Sequence, residues 1–105
     1  MRITINNIKW EVLFVNKVDI NECYGLTSFP ALQIKIAIDY PKEIIRTTIT
    51  HEVVHAWVAS YGYRENGGML FSEEQVADFI GMNLSNFNEL TMKIYLEYKR
   101  KYNIK

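Results

Sequence analysis

The chain contains few cysteines, histidines and prolines, which are residues that can stabilise a fold by means other than hydrophobic packing. Its 105 residues include one cysteine, two histidines and two prolines. Because Cys23 has no second cysteine to pair with, an intrachain disulfide is excluded, and we expect a structural rather than a nucleophilic role for it. No apolar run approaches the roughly 20 residues that cross a bilayer, and the residues after Met1 do not resemble a secretion signal. These absences predict a soluble, cytoplasmic protein with no membrane partner, folded as one domain over residues 1–105.

The chain also has no excess of charge of either sign. Twelve lysines and arginines balance 12 aspartates and glutamates. A balanced charge gives no support to nucleic-acid binding, which relies on a basic surface. The local basic run Lys99-Arg100-Lys101 is typical of a solvated helix end, where cations are favoured. The charge pattern therefore predicts no nucleic-acid partner.

The first forty residues carry the alternating pattern of β-strands. Apolar and polar side chains alternate over residues 3–5, 8–14 and 32–38, which is the period of a half-buried strand. Asn6-Asn7 is typical of a tight hairpin turn, because asparagine tolerates positive φ. Residues 25–30 are interpreted as a loop. The pattern predicts a small, mainly antiparallel sheet of three or four strands.

The sequence pattern of the remaining residues predicts helices. Pro41 favours a helix start, and we expect the first helix to run to about Tyr61, with Gly62 ending it. A capping-box pattern at residues 72–75 predicts a second helix that ends near residues 83–85. A similar pattern beginning at Asn86 predicts a third helix towards residue 102. The expected fold class is therefore α+β, with the sheet followed by three helices.

Both histidines of the chain fall in one short motif. His51-Glu52-Val53-Val54-His55 reads H-E-x-x-H. On a helix, residues four apart share a face, so the two imidazoles can bind one zinc ion at about 2 Å. Glu52 is rotated away from that face and can reach a water molecule without binding the metal, as the general base of a metallopeptidase does. The motif predicts zinc ligands at His51 and His55 and a catalytic Glu52.

A catalytic zinc ion usually has a third protein ligand. The chain has no third histidine, and Val58 and Tyr61 stand where the longer H-E-x-x-H-x-x-G-x-x-H motif needs glycine and histidine. The third ligand is therefore expected to be a carboxylate. The candidates are Glu65, Glu73, Glu74, Asp78, Glu89 and Glu97.

Glu74 is the preferred third ligand on the spacing of its neighbours. Asp78 lies four residues later on the same helix face, where it can accept the N–H of a ligating histidine. Gly81 continues that face and would let the helix approach its neighbour closely. Glu73 has no such partner, but it stays an alternative.

With these motifs, the chain resembles the gluzincin branch of zinc metallopeptidases. The matching segments are His51 to His55 and Glu74-Gln75-Val76-Ala77-Asp78, which is similar to the E-x-x-x-D segment that supplies the third ligand and a supporting aspartate. The chain is more similar still to the small ImmA/IrrE-like metallopeptidases of phages and mobile elements, over residues 32–84. This resemblance implies a minimal zincin-like domain. Members of that family often carry a helix-turn-helix domain, and we expect none within residues 1–105.

The resulting hypothesis is a zinc-dependent hydrolase of peptide bonds in a protein or peptide substrate. An extended substrate is expected to pair along the free edge of the strand at residues 32–38. Tyr61, Tyr63 and Arg64 are candidates for stabilising the oxyanion. The alternative is a zinc-stabilised, non-enzymatic binding module of phage or mobile-element origin. Glu52 argues against that alternative, because a purely structural zinc site does not need this carboxylate.

Overall fold

The computed structural model describes the backbone of residues 1–61 and 73–105, and their side chains except those of residues 73–76, 78 and 79. Four strands are followed by two helices over these residues. The elements are β1 (Arg2–Ile5), β2 (Ile8–Val15), β3 (Gly25–Ser28), β4 (Gln33–Ala37), α1 (Lys42–Ser60) and α2 (Glu73–Lys101), with a short 3-10 turn at Lys17–Ile20. The α+β class fits this architecture.

The strands form one mixed sheet in the order β1-β2-β4-β3. The hairpin between β1 and β2 is confirmed, and its turn residues Asn6 and Asn7 have φ values of 50° and 64°. Strand β4 pairs parallel to β2 and antiparallel to β3. The sequence predicted a mainly antiparallel sheet of three or four strands; the sheet has four strands and is mixed, with two antiparallel pairings and one parallel pairing. The parallel pairing arises because β4 returns to the sheet beside β2 after the chain has crossed over. Such a crossover leaves no signal in local periodicity.

Residues 25–28 are a strand, whereas the sequence predicted a loop there. Apolar alternation is missing in β3 because its inward positions are Gly25 and Thr27, which face α1 instead of the apolar centre of the core. Pairing with β4 places Gly25 opposite Ile36 and Thr27 opposite Ile34. Strand β3 lies at one edge of the sheet, and β4, whose edge was expected to be free, is an internal strand.

The core lies between one face of the sheet and the helices. Helix α1 packs on that face, and the C-terminal part of α2 adds to the same cluster. Its fully buried members include Trp10, Val12, Ile34, Ile36, Ile45, Ile49, Val53 and Ile94. The end of α1 is fixed to the hairpin, because the Trp10 indole donates a hydrogen bond of 2.8 Å to the Ser60 hydroxyl.

The second and third predicted helices are one helix, so the prediction of three helices was wrong. The capping pattern at Asn86 does not end the helix, because residues 83–89 contain neither proline nor glycine. Continuing the helix keeps its backbone hydrogen bonds and places Phe87, Leu90 and Ile94 against the core. An asparagine inside a helix costs only a few tenths of a kcal/mol, about 0.7 at most. In the part of the chain that the structure describes, neither helix is long and apolar enough to cross a membrane.

Candidate metal centre

The two histidines lie side by side on the exposed face of α1. Their Nε2 atoms are 3.2 Å apart, and the ring centroids are separated by 4.8 Å. Two nitrogens that bind one tetrahedral zinc ion at 2.0–2.1 Å are about 3.3 Å apart. The spacing of His51 and His55 therefore fits two ligands of a single zinc ion. The same distance also permits one ring to donate a hydrogen bond to the other.

Glu52 lies beside this pair but belongs to the buried side of α1. Only 7% of its surface is exposed. The Thr27 hydroxyl donates a hydrogen bond of 2.8 Å to Glu52 Oε1, whereas Oε2 lies 3.9 Å from His51 Nε2. One carboxylate oxygen is thus held by the sheet, and the other faces His51. This arrangement suits a base that acts next to a metal ion without binding it.

Gly25 allows β3 to lie directly against Glu52. A Cβ atom on Gly25 would be 2.8 Å from Glu52 Cγ and 2.7 Å from Thr48 Cγ2. Side chains do not approach each other so closely, so any larger residue would push α1 and β3 apart. The short distance between Thr27 and Glu52 therefore depends on a glycine two residues earlier in the strand.

A cavity of about 310 Å³ adjoins the site. Its walls come from the start of β3 with the residue before it, and from the half of α1 that precedes His55. They are formed by Tyr24, Gly25, Ile44, Thr47, Thr48, His51 and Glu52. The cavity is large enough to hold a side chain of a bound peptide next to the Glu52 carboxylate.

The preferred candidates for a third ligand have side chains outside the part of the chain that the structure describes. The backbones of Glu73, Glu74 and Asp78 belong to the start of α2, but their side chains are outside the described set, and so is the whole of Glu65. Glu89 is exposed, and Glu97 forms an ion pair with Arg100. Among the described residues, no group of three or more histidine, cysteine, aspartate or glutamate side chains could hold a metal ion. Glu74 stays a prediction.

One argument for Glu74 is not met. Gly81 was expected to allow close packing of its helix face on a neighbour. Among the residues that the structure describes, no atom would lie within 4 Å of a Cβ atom at Gly81. The described residues therefore show no close packing at this position, and the preference for Glu74 rests on the E-x-x-x-D spacing and on Asp78.

The remaining candidates from the sequence have simpler surroundings. Tyr61 stacks on Trp57 with ring centroids 5.9 Å apart, so its ring has a packing role. Tyr63 and Arg64 lie outside the described residues. Cys23 is exposed and is not part of the hydrophobic core.

Sequence reasoning did not find Thr27 or Gly25. Their link to Glu52 spans 25 residues or more of sequence and depends on the pairing of β3 with β4. The only available signal was a glycine two positions before a threonine in a segment interpreted as a loop.

Comparisons with known proteins do not assign the chain to a family. No protein-family model, curated protein or solved structure matches it. A metal ion at this site is therefore indicated by the donor set alone. Two imidazole nitrogens at zinc-ligand spacing, next to a buried carboxylate that is held away from them, are residues that fit a zinc ion.

Proposed function

We propose that this chain is a zinc-dependent metallopeptidase of the gluzincin type, similar to the small ImmA/IrrE-like enzymes, that hydrolyses a peptide bond in a protein or peptide substrate. The observation that carries the proposal is the pairing of His51 and His55 at 3.2 Å beside a Glu52 carboxylate anchored by Thr27. A cytoplasmic location belongs to the same proposal. It is supported by the single cysteine, since disulfides are common in proteins of oxidising compartments.

In this proposal His51, His55 and Glu74 hold the zinc ion. When bound, zinc supplies Lewis acidity, which polarises a carbonyl group and makes a water molecule easier to deprotonate. Glu52 accepts that proton at Oε2, the oxygen that faces His51, and passes it to the departing amine. Thr27 keeps Oε1 occupied, so that the carboxylate stays in this orientation.

Strand β3 is the element on which we place the substrate. It is the edge strand on the side of Glu52, and its backbone offers hydrogen-bonding groups that an extended peptide can pair with. The cavity beside His51 and Glu52 would take one side chain of that peptide. This replaces the strand at residues 32–38 as the expected docking edge.

Glu52→Gln separates an enzyme from a zinc-stabilised binding module. We expect wild-type protein to hold close to one zinc per chain and to cleave members of a broad peptide library, with activity lost to a chelator and restored by zinc. Glu52→Gln should keep the zinc but lose hydrolysis, because an amide does not accept the proton. His51→Ala should lose both. The measurements are elemental analysis and peptide cleavage by mass spectrometry.

Two results would contradict the proposal. Wild-type protein that takes up no zinc on titration would remove the metal site. Glu52→Gln that cleaves a substrate at the wild-type rate would remove the proposed base. Zinc binding without any cleavage would instead favour the binding module.

A further inference from the structure

We infer that Thr27 is the positioning residue for the Glu52 base and that it links this base to the edge of the sheet where a substrate strand would bind. The inference rests on the proposed function. Thr27 lies on β3, whereas the H-E-x-x-H motif lies on α1. The hydrogen bonds of Thr27 and the register of β3 support the inference.

The Thr27 side chain points at Glu52 from the core face of the sheet. Its hydroxyl oxygen lies 2.8 Å from Glu52 Oε1 and 3.1 Å from the Glu52 backbone oxygen. A threonine side chain has a restricted χ1 angle, so the position of its hydroxyl follows the backbone of the strand. Among the described residues, Thr27 is the only one whose side chain donates a hydrogen bond to the Glu52 carboxylate.

The Thr27 backbone points in another direction, towards the outer edge of β3. Tyr24 and Ala37 form a hydrogen-bonded pair, with the Ala37 N–H donating to the Tyr24 carbonyl at 2.9 Å. Hydrogen-bonded and non-hydrogen-bonded pairs alternate in antiparallel strands. Thr27, opposite Ile34, is therefore a non-hydrogen-bonded position whose N–H and C=O face away from β4. No other strand of the described chain pairs with that side of β3.

Thr27 would thus contact both the catalytic base and the substrate of the proposed reaction. A peptide that adds to the outer edge of β3 forms hydrogen bonds with the Thr27 backbone, while the Thr27 hydroxyl holds Glu52. Binding of an extended chain would immobilise β3 and, through the stiff threonine side chain, the carboxylate. Gly25 supports this arrangement, because it brings the strand close enough for the hydroxyl to reach.

A purely structural explanation is less satisfactory. Helix α1 is already attached to the sheet through the apolar residues Ile45, Ile49 and Val53, all of which are fully buried. A nearly buried carboxylate adds no apolar contact and costs free energy unless its oxygens are hydrogen-bonded. An acid at this place, with one oxygen bonded to Thr27 and the other directed at His51, is better explained by its chemistry.

Thr27→Val tests the inference, since valine has almost the same shape and no hydroxyl. We expect kcat to fall about 10- to 100-fold, as is typical when a catalytic group is misplaced by about 1 Å. KM and zinc content should stay at wild-type values, because the backbone edge and the histidines are unchanged. Thr27→Ser keeps the hydroxyl and should restore most of kcat. Thr4→Val, an exposed threonine in β1, is the matched control and should change nothing.

A second measurement does not depend on activity or on metal. In metal-free protein, Thr27→Val should lower the melting temperature, and the same change in a Glu52→Ala background should lower it much less. Such non-additivity identifies a direct interaction between the two side chains.

The outcomes separate this inference from the proposed function. Additive melting shifts, wild-type kcat in Thr27→Val, or Thr27→Ser as impaired as Thr27→Val would each overturn the role of the hydroxyl. Wild-type protein that binds zinc but cleaves nothing would overturn the proposed function and the catalytic role of Thr27 together. The melting cycle would still show in that case whether Thr27 and Glu52 interact.

Discussion

Helices α1 and α2 are attached to the fold in very different ways. In α1, 19 residues long, ten side chains are buried, and they run from Ile45 to Ser60. In α2, 29 residues long, the buried side chains among those described are Ile94 and Tyr98, both in its C-terminal half. Its N-terminal half leaves Ile80, Met82 and Leu84 at least half exposed. The histidines therefore stand on a helix fixed by packing, whereas the predicted third ligand lies in the half of α2 whose described residues Ile80, Met82 and Leu84 are exposed.

This difference has a consequence for the candidate site. The ligand pair on α1 can be preorganised without metal, because the helix under it is held by the core. Glu74 lies about two turns before the half-exposed Ile80 on the same helix. A zinc ion that joined the two helices would thus add a contact to the half of α2 in which Ile80, Met82 and Leu84 are exposed.

Matched isoleucine substitutions in α1 and α2 should show the largest effect of this difference in packing. Ile49→Ala in α1 should lower the free energy of unfolding by about 2–5 kcal/mol, because it opens a cavity in the core. Ile80→Ala in α2 removes the same atoms from a half-exposed site and should change stability by about 0.5 kcal/mol or less. Both changes alter helix propensity equally. Denaturant unfolding of the two variants measures the difference.

Ile94→Ala tests the comparison within a single helix. Ile94 is fully buried, so this change should resemble Ile49→Ala rather than Ile80→Ala. Equal costs at positions 80 and 94 would show that α2 is packed uniformly, and the comparison between the helices would then fail.

Zinc binding should partly remove the difference in attachment between α1 and α2. If Glu74 completes the site, zinc at 100 times its dissociation constant stabilises the fold by about 2.7 kcal/mol. Melting should rise by several degrees with zinc, and amides of the first half of α2 should exchange more slowly. Glu74→Ala should weaken zinc affinity far more than Glu73→Ala, and Asp78→Ala should weaken it about 10-fold or more. Calorimetric zinc titrations of the three variants give the order, and a larger loss in Glu73→Ala would reverse the assignment.

The smallest effect is expected at the end of α2. The hydrogen bond from Arg100 lowers the pKa of the Glu97 carboxyl below its ordinary value. A lowered pKa in the folded state stabilises the fold above the ordinary pKa of glutamate, and this contribution disappears as the pH falls through the lowered value. Glu97→Gln should therefore reduce the melting temperature slightly at pH 7 and not at pH values below both pKa values. The pair is exposed, so the effect should be smaller than those of the core substitutions and of zinc binding. An equal reduction at both pH values would exclude the ion pair as its cause.

The sequence by itself determined those parts of the protein that depend on local spacing. Alternating residues identified β2 and β4, Asn6-Asn7 identified the hairpin turn, and the limits of α1 were predicted within one or two residues. The spacing of His51 and His55 was sufficient to place both rings on one helix face, because four residues are close to one helical turn.

The tertiary structure decided what depends on residues far apart in the chain. It made residues 25–28 an edge strand, placed β4 inside a mixed sheet, and joined two predicted helices into α2. It also brought Thr27 to Glu52. The physical reason is the same in each case. Contacts with distant elements determine which strands pair, which residues are buried and whether a helix ends or continues. Local periodicity does not reveal those contacts.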